Sequence, residues 1–126
     1  IKEFADGKGV DVVSDPVGGA YSEAALRRMA WEGRFLVVGF AAGDIPKIPL
    51  NLPLLKGCQI VGVFWGAFAM NFPADNLANT QQLMQWYLSG TIKPHIDNVY
   101  PLAEVPQALN DVMNRKAKGK IVIEIS

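Results

Sequence analysis

The sequence predicts an α/β fold built on parallel strands, and three observations carry that expectation. Short apolar runs, "VDVVS", "FLVVGF" and "CQIVGVFWG", are continuous rather than alternating, as in strands covered on both faces. An amphipathic stretch of helical period separates the first two. Strand, helix and strand then succeed each other at the spacing of a right-handed crossover unit.

In chain order, "IKEFADGKG" has neither an initiator methionine nor a signal-peptide pattern. Phe4 before "ADGKG" reads as the last turn of a helix with a glycine stop, so the chain is expected to begin inside a fold. Val10 to Ser14 form the first strand, ended by Asp15, Pro16 and two glycines. "AYSEAALRRMAWEG" is expected to be a helix with Ala25, Leu26, Met29 and Ala30 on one face, Glu23 and Arg27 paired at i and i+4, and Gly33 closing it. Phe35 to Phe40 supply the second strand. A loop with Pro46, Pro49 and Pro53 follows, holding a short helical turn around Leu52 to Lys56 before the third strand.

Past Phe72 the pattern changes. "NFPADNLANTQQLMQWYLSGTI" predicts a helix with Pro73 in its first turn, Gly90 at its end, and Leu77, Met84, Tyr87 and Leu88 as its buried face. "HIDNVYPL" is a short extended segment. Val105, Ala108, Leu109, Val112 and Met113 then make a full amphipathic stripe, with Arg115, Lys116 and Lys118 at the end that the helix dipole favours for cations. "GKIVIEIS" closes the chain as an edge-like strand.

At 126 residues the expectation is one unit, with a sheet-forming part over about 1–65 and helices and strands over about 66–126. Twelve basic residues balance twelve acidic ones, so no global field draws nucleic acid or anionic lipid. The longest apolar runs are about half the ~20 residues of a membrane span and are broken by glycine, so no membrane partner is expected. Cys58 is the single cysteine; it allows no internal disulfide and fits a reducing, cytoplasmic setting. Entering an apolar strand, it reads as a small core residue. His95, the one histidine, follows a proline at an expected surface turn and reads as structural or solvated. Tyr21, Tyr87 and Tyr100 read as core or interface residues. With one cysteine, one histidine and no ligand cluster, no metal is expected.

In open α/β sheets, ligands sit beyond the carboxyl ends of the strands. Here those ends are "DPVGG", "VGFAAG" and "VFWGAF", loops with little side-chain chemistry. Small residues let backbone groups approach a flat ligand, and an amide-bearing ring can be read by backbone alone. The bland reading is that these glycines only turn the chain; the recurrence at three strand ends favours a ligand.

The linked series "VDVVSDPVGG", "GRFLVVGFAAGDIPKIPLNLPLLKG", "IVGVFWGAF" and "KGKIVIEI" resembles, in order and spacing, the C-terminal part of zinc-independent quinone oxidoreductases of the medium-chain dehydrogenase/reductase superfamily. The resemblance covers essentially the whole chain. It implies a truncated Rossmann-type parallel sheet, the second half of a dinucleotide-binding fold, with NADP(H) as cofactor and hydride transfer to a quinone or activated alkene. By the same resemblance Asp15, Pro16, Val17 and Gly18 lie beside the cofactor ribose, Val38, Gly39 and Phe40 along the nicotinamide, and Val63, Phe64 and Trp65 at the carboxamide. No catalytic acid or base is implied. No GxGxxG turn occurs in the sequence, so the chain alone is expected not to catalyse. The resemblance also implies a homodimer through the strand around Gln59 to Phe64. A different class of reading is a non-catalytic oligomerising module, favoured by the neutral charge and by the aromatic cluster Phe64, Trp65, Phe68, Met70 and Phe72.

Overall fold

The computed structural model describes residues 7–125. The helical turn expected at Phe4 lies outside the described residues. By contacts the chain divides after Phe72 into two compact units, where the sequence reading takes one unit with a change of character near residue 65.

The first unit runs β1 (Val10–Asp15), α1 (Ala20–Leu26), β2 (Met29–Val37), α2 (Asn51–Lys56), β3 (Gln59–Gly62) and α3 (Trp65–Asn71). Its strands form one sheet in the order β1-β2-β3, and both pairings are parallel. Leu26 from α1 and Leu52 from α2 close with Met29 on Phe35 of β2, and this buried cluster draws in Val10, Val13 and the partly buried Cys58. Burying such side chains is worth about 1.5–3 kcal/mol each and is what holds the helices to the sheet. Among the described residues of this unit only one face is covered in this way. Val13 lies in register with Phe35, and Phe35 with Ile60, whereas Val12, in register with Arg34 on the other face, is exposed. The expectation of strands covered on both faces is therefore met on one.

Helix α1 stops at Leu26, seven residues before the expected end at Gly33. Met29 and Ala30 are buried, but as the start of β2. The helical period was satisfied by accident, because a helix end and the strand it feeds both turn toward the same core. Val10 pairs with Met29 but Val12 with Arg34, so three extra residues of β2 bulge from the ladder. Gly33 serves that bulge: a Cβ there would lie 2.6 Å from the Met29 Cε and 3.0 Å from the Ala30 carbonyl oxygen. The expected Glu23–Arg27 pair forms, at 2.6 Å on the surface, and α2 occupies the expected turn, closed by Gly57 in the left-handed conformation.

The second unit holds α4 (Pro73–Leu88), β4 (Ile96–Pro101), a 3-10 turn (Leu102–Glu104), α5 (Val105–Met113) and β5 (Lys120–Glu124). β4 and β5 pair in parallel. Helix α4 has the expected bounds but no buried residue; Leu77, Met84, Tyr87 and Leu88 are all exposed, since no element of its unit covers them. Helix α5 is turned away from its expected stripe. Val105, Ala108 and Asp111 face inward, while Leu109, Val112 and Met113 stay exposed. Asp111 decides this, because its carboxylate accepts the hydroxyl of the buried Tyr100 at 2.7 Å and lies 3.2 Å from the Lys116 Nζ.

Candidate functional site

The carboxyl ends of β1, β2 and β3 bring most of the expected residues together. Asp15 ends β1, and its side chain builds the turn after it: Oδ1 accepts the amides of Val17 and Gly18, each at 2.9 Å. Oδ2 accepts the Ser22 hydroxyl at 2.6 Å, and Ser22 is 1% exposed. Partial burial raises the Asp15 carboxyl, but the Ser22 hydroxyl and the two amides outweigh it and hold it below the ordinary carboxylate range. Gly18 and Gly19 take φ of 71° and 63°, the left-handed region that favours glycine.

The same turn carries the end of β2. The Asp15 carbonyl accepts the amides of Val38 and Gly39 at 3.0 and 3.3 Å, Pro16 that of Ala41 at 3.1 Å, and Val17 that of Ala42 at 2.8 Å. A Cβ on Gly18 would lie 2.9 Å from Cδ1 of Phe40, and one on Gly39 would lie 3.3 Å from the Pro16 oxygen. Small residues here let two strand ends stack on each other. The third strand end is joined through the Val63 amide, which donates to Val37 at 2.9 Å.

Val38, Gly39, Phe40, Val63 and Phe64 together line an open groove, with Val37 and Gly62 completing its walls. Most amides of these loops donate within the fold, so the loops offer a ligand less backbone than their composition suggests. The carbonyls of Val38, Gly39 and Val63 and the amides of Phe40 and Phe64 take no part in those bonds. That mixture of donors and acceptors suits a flat ring bearing a carboxamide. Asp15 to Gly18 adjoin the groove through the β2 loop. Trp65 opens α3, and its ring packs on Phe68 at 5.7 Å rather than lining the groove. Beneath the loop, an apolar cavity of about 190 Å³ lies among Phe35, Val37, Phe40, Ile45, Ile48 and Ile60, with Asp15 and Ser22 as its polar members.

Ser22 is the participant that the sequence did not single out. The "DPVG" pattern signals an aspartate bonding its own turn, but a serine inside a helix carries no such mark. His95 is exposed, with Nε2 3.9 Å from Asp97. Among the described residues no group of three or more His, Cys, Asp or Glu side chains is placed to hold a metal. Tyr21 and Tyr87 are exposed and Tyr100 is buried. No helix of the described residues is long and apolar enough to cross a membrane.

Against known proteins, the sequence matches the family described as zinc-binding dehydrogenase over residues 2–123. It is 43% identical over 118 residues to quinone oxidoreductase-like protein 2 of Bos taurus, covering 93% of this chain and 34% of that protein. Among solved structures, a probable oxidoreductase from Mycobacterium abscessus shares 33% identity with a TM-score of 0.78, over 98% of this chain and 36% of its own. A mycobacterial protein complexed with NADPH superposes with a TM-score of 0.85 at 25% identity, over 98% of this chain and 38% of its own. The chain thus spans about a third of the length of the relatives it matches. The Rossmann-type parallel sheet and the match across nearly every residue agree: the chain belongs to the zinc-binding dehydrogenase family, within the medium-chain dehydrogenases/reductases.

Proposed function

We propose that this chain forms the nicotinamide-facing part of an NADP(H) site in a zinc-independent quinone oxidoreductase or enone reductase. The observation that carries this reading is the groove at the ends of β2 and β3, where small residues and untaken backbone groups converge. The similarity to a protein complexed with NADPH supports it. Bound there, the cofactor would supply the hydride for a quinone or activated alkene. Val38, Gly39 and Phe40 would lie along the ring, Val63 and Phe64 would meet its carboxamide by backbone, and Trp65 would hold that segment from the start of α3. The Asp15–Gly18 turn would sit beside the ribose. These residues bind, orient and keep out water, and none is assigned as a proton donor. The setting we propose is cytoplasmic.

Titrating NADPH into the chain by calorimetry, with NADH for comparison, tests this. Binding near micromolar, ~8 kcal/mol, with amide shifts confined to the three strand ends, is the expected result. The absence of binding, or shifts spread over the sheet, would overturn it. Hydride transfer by this chain above a cofactor-only blank would refute our expectation that the chain alone does not catalyse.

A second reading is an oligomerising module. Phe64 is 75% exposed, and Trp65, Met70 and Phe72 are exposed beside it, while β3 is the terminal strand of its sheet. Exposed apolar clusters and open strand edges both favour association. We propose a homodimer through Gln59 to Phe64 under either reading, with sedimentation as its test.

A further inference from the structure

Asp15 is placed in the candidate site, yet every polar contact of its carboxylate is internal: two amides of its own turn and the Ser22 hydroxyl. Its carbonyl meanwhile holds the amides of Val38 and Gly39. One residue thus fixes the turn after β1 with its side chain and the end of β2 with its backbone. Ser22 fixes Asp15 in turn. Its hydroxyl is buried on α1, seven residues along the chain, and reaches the carboxylate oxygen that the turn leaves over. A charge-assisted hydrogen bond between a buried hydroxyl and a carboxylate is among the stronger polar contacts available to a neutral donor.

From this geometry we infer that the Ser22–Asp15 pair is a positioning device for the candidate cofactor site. It acts on a bound dinucleotide through the Pro16–Gly18 turn and the Val38–Phe40 strand end without touching it. The inference rests on the cofactor reading above for its ligand but not for its geometry.

The test separates the two. In the full chain without ligand, amide hydrogen exchange is followed in wild type, Ser22→Ala and Asp15→Asn. Ser22→Ala removes one hydroxyl and no chain atom, and Asp15→Asn retains an oxygen acceptor for the turn. Ser22→Ala is expected to speed exchange at Val17, Gly18, Val38 and Gly39 by roughly tenfold or more, the factor that loss of one such bond carries. The Glu32 amide, which donates to Gly57 in the same unit, should be unchanged. Asp15→Asn should fall between Ser22→Ala and wild type. NADPH affinity should follow the same order, weakening by several-fold. Unchanged exchange at the four amides would overturn the inference, and so would an equal rise at Glu32, which would mark a merely structural role. Local exchange changes with wild-type NADPH affinity would also overturn it. If the wild-type chain binds no NADPH, the cofactor reading fails, and the exchange pattern alone decides whether the pair controls the two strand ends.

Discussion

Replacing Gly62 by leucine narrows the groove without loading the core. Gly62 ends β3, and a Cβ built on it meets nothing within 4 Å. It also lines the groove with Val38, Gly39, Phe40, Val63 and Phe64. The fold should therefore accept the side chain, and stability should stay within about 0.5 kcal/mol of wild type, as for most surface changes. The ligand should not accept it. A carboxamide ring excluded from this groove would lose its bonds to the untaken backbone groups, each worth about 0.5–1.5 kcal/mol net. Two such bonds make about 1–3 kcal/mol, a rise of roughly 5- to 150-fold in Kd. Gly62→Ala projects less far and should give a smaller loss. Calorimetry with NADPH, beside a thermal melt of each variant, reads both quantities. Wild-type affinity in a folded Gly62→Leu chain would refute the assignment of the groove to the nicotinamide.

Asp15→Ala leaves the buried Ser22 hydroxyl without its acceptor, which should cost about 1–3 kcal/mol in a denaturant melt. The folded Asp15 carboxyl lies below its ordinary value of 3.8, so its stabilisation is present above that pH and lost as pH falls through the folded value; the gap between wild type and Asp15→Asn should shrink there. In the second unit, the hydrogen bond to Asp111 pushes the Tyr100 phenol above its ordinary 10.0, with burial adding to it. A raised phenol stabilises below 10 and loses that contribution as pH rises through the folded value, so Tyr100→Phe should converge on wild type in alkaline melts. Gly57→Ala should destabilise by about 1–2 kcal/mol for its left-handed backbone alone. Its Cβ would also meet the Trp31 ring 2.3 Å away, and a Trp31→Ala background should remove only that second part. Full additivity in the double variant would refute the clash.

The sequence made the first unit legible where burial was continuous. All three strands of its sheet overlap the expected apolar runs, because a strand packed against helices needs apolar residues along its length, but β2 begins at Met29, six residues before its expected start at Phe35. What was illegible depended on partners distant in the chain. Met29 and Ala30 kept a helical period while belonging to a strand, and only their pairing with β1 shows this. Helix α3 was missed because Trp65 to Phe72 read as an aromatic cluster, and its ring contacts, Trp65 on Phe68 and Phe68 on Phe72, follow the helical spacings of three and four. In α5 the stripe of apolar residues gave the helix but not its facing, since one polar side chain, Asp111, outweighed Leu109 and Met113 in setting the inward side. For the candidate site, Asp15 and the strand-end residues with little side-chain chemistry were read from the sequence, whereas Ser22, a hydroxyl buried within a helix, was not.

The two functional readings use different parts of the same strand, and this makes them independent. Just past β3 the Val63 amide points to β2, so by alternation Gln59 and Val61 also turn their backbone groups inward. Ile60 and Gly62 then present theirs at the free edge. Edge pairing with a second copy would draw on those outward groups, while the groove draws on the face and end of the strand, at Gly62, Val63 and Phe64. A dimer therefore need not close the groove, and cofactor binding need not require the dimer. Within β3 itself Gly62 serves both, through its backbone at the edge and its missing side chain in the groove, while Val63 and Phe64 line the groove at the end of the proposed dimer stretch. Since Gly62→Leu adds a side chain and keeps the backbone amide, loss of NADPH without loss of association would assign the two roles to the two parts of that one residue.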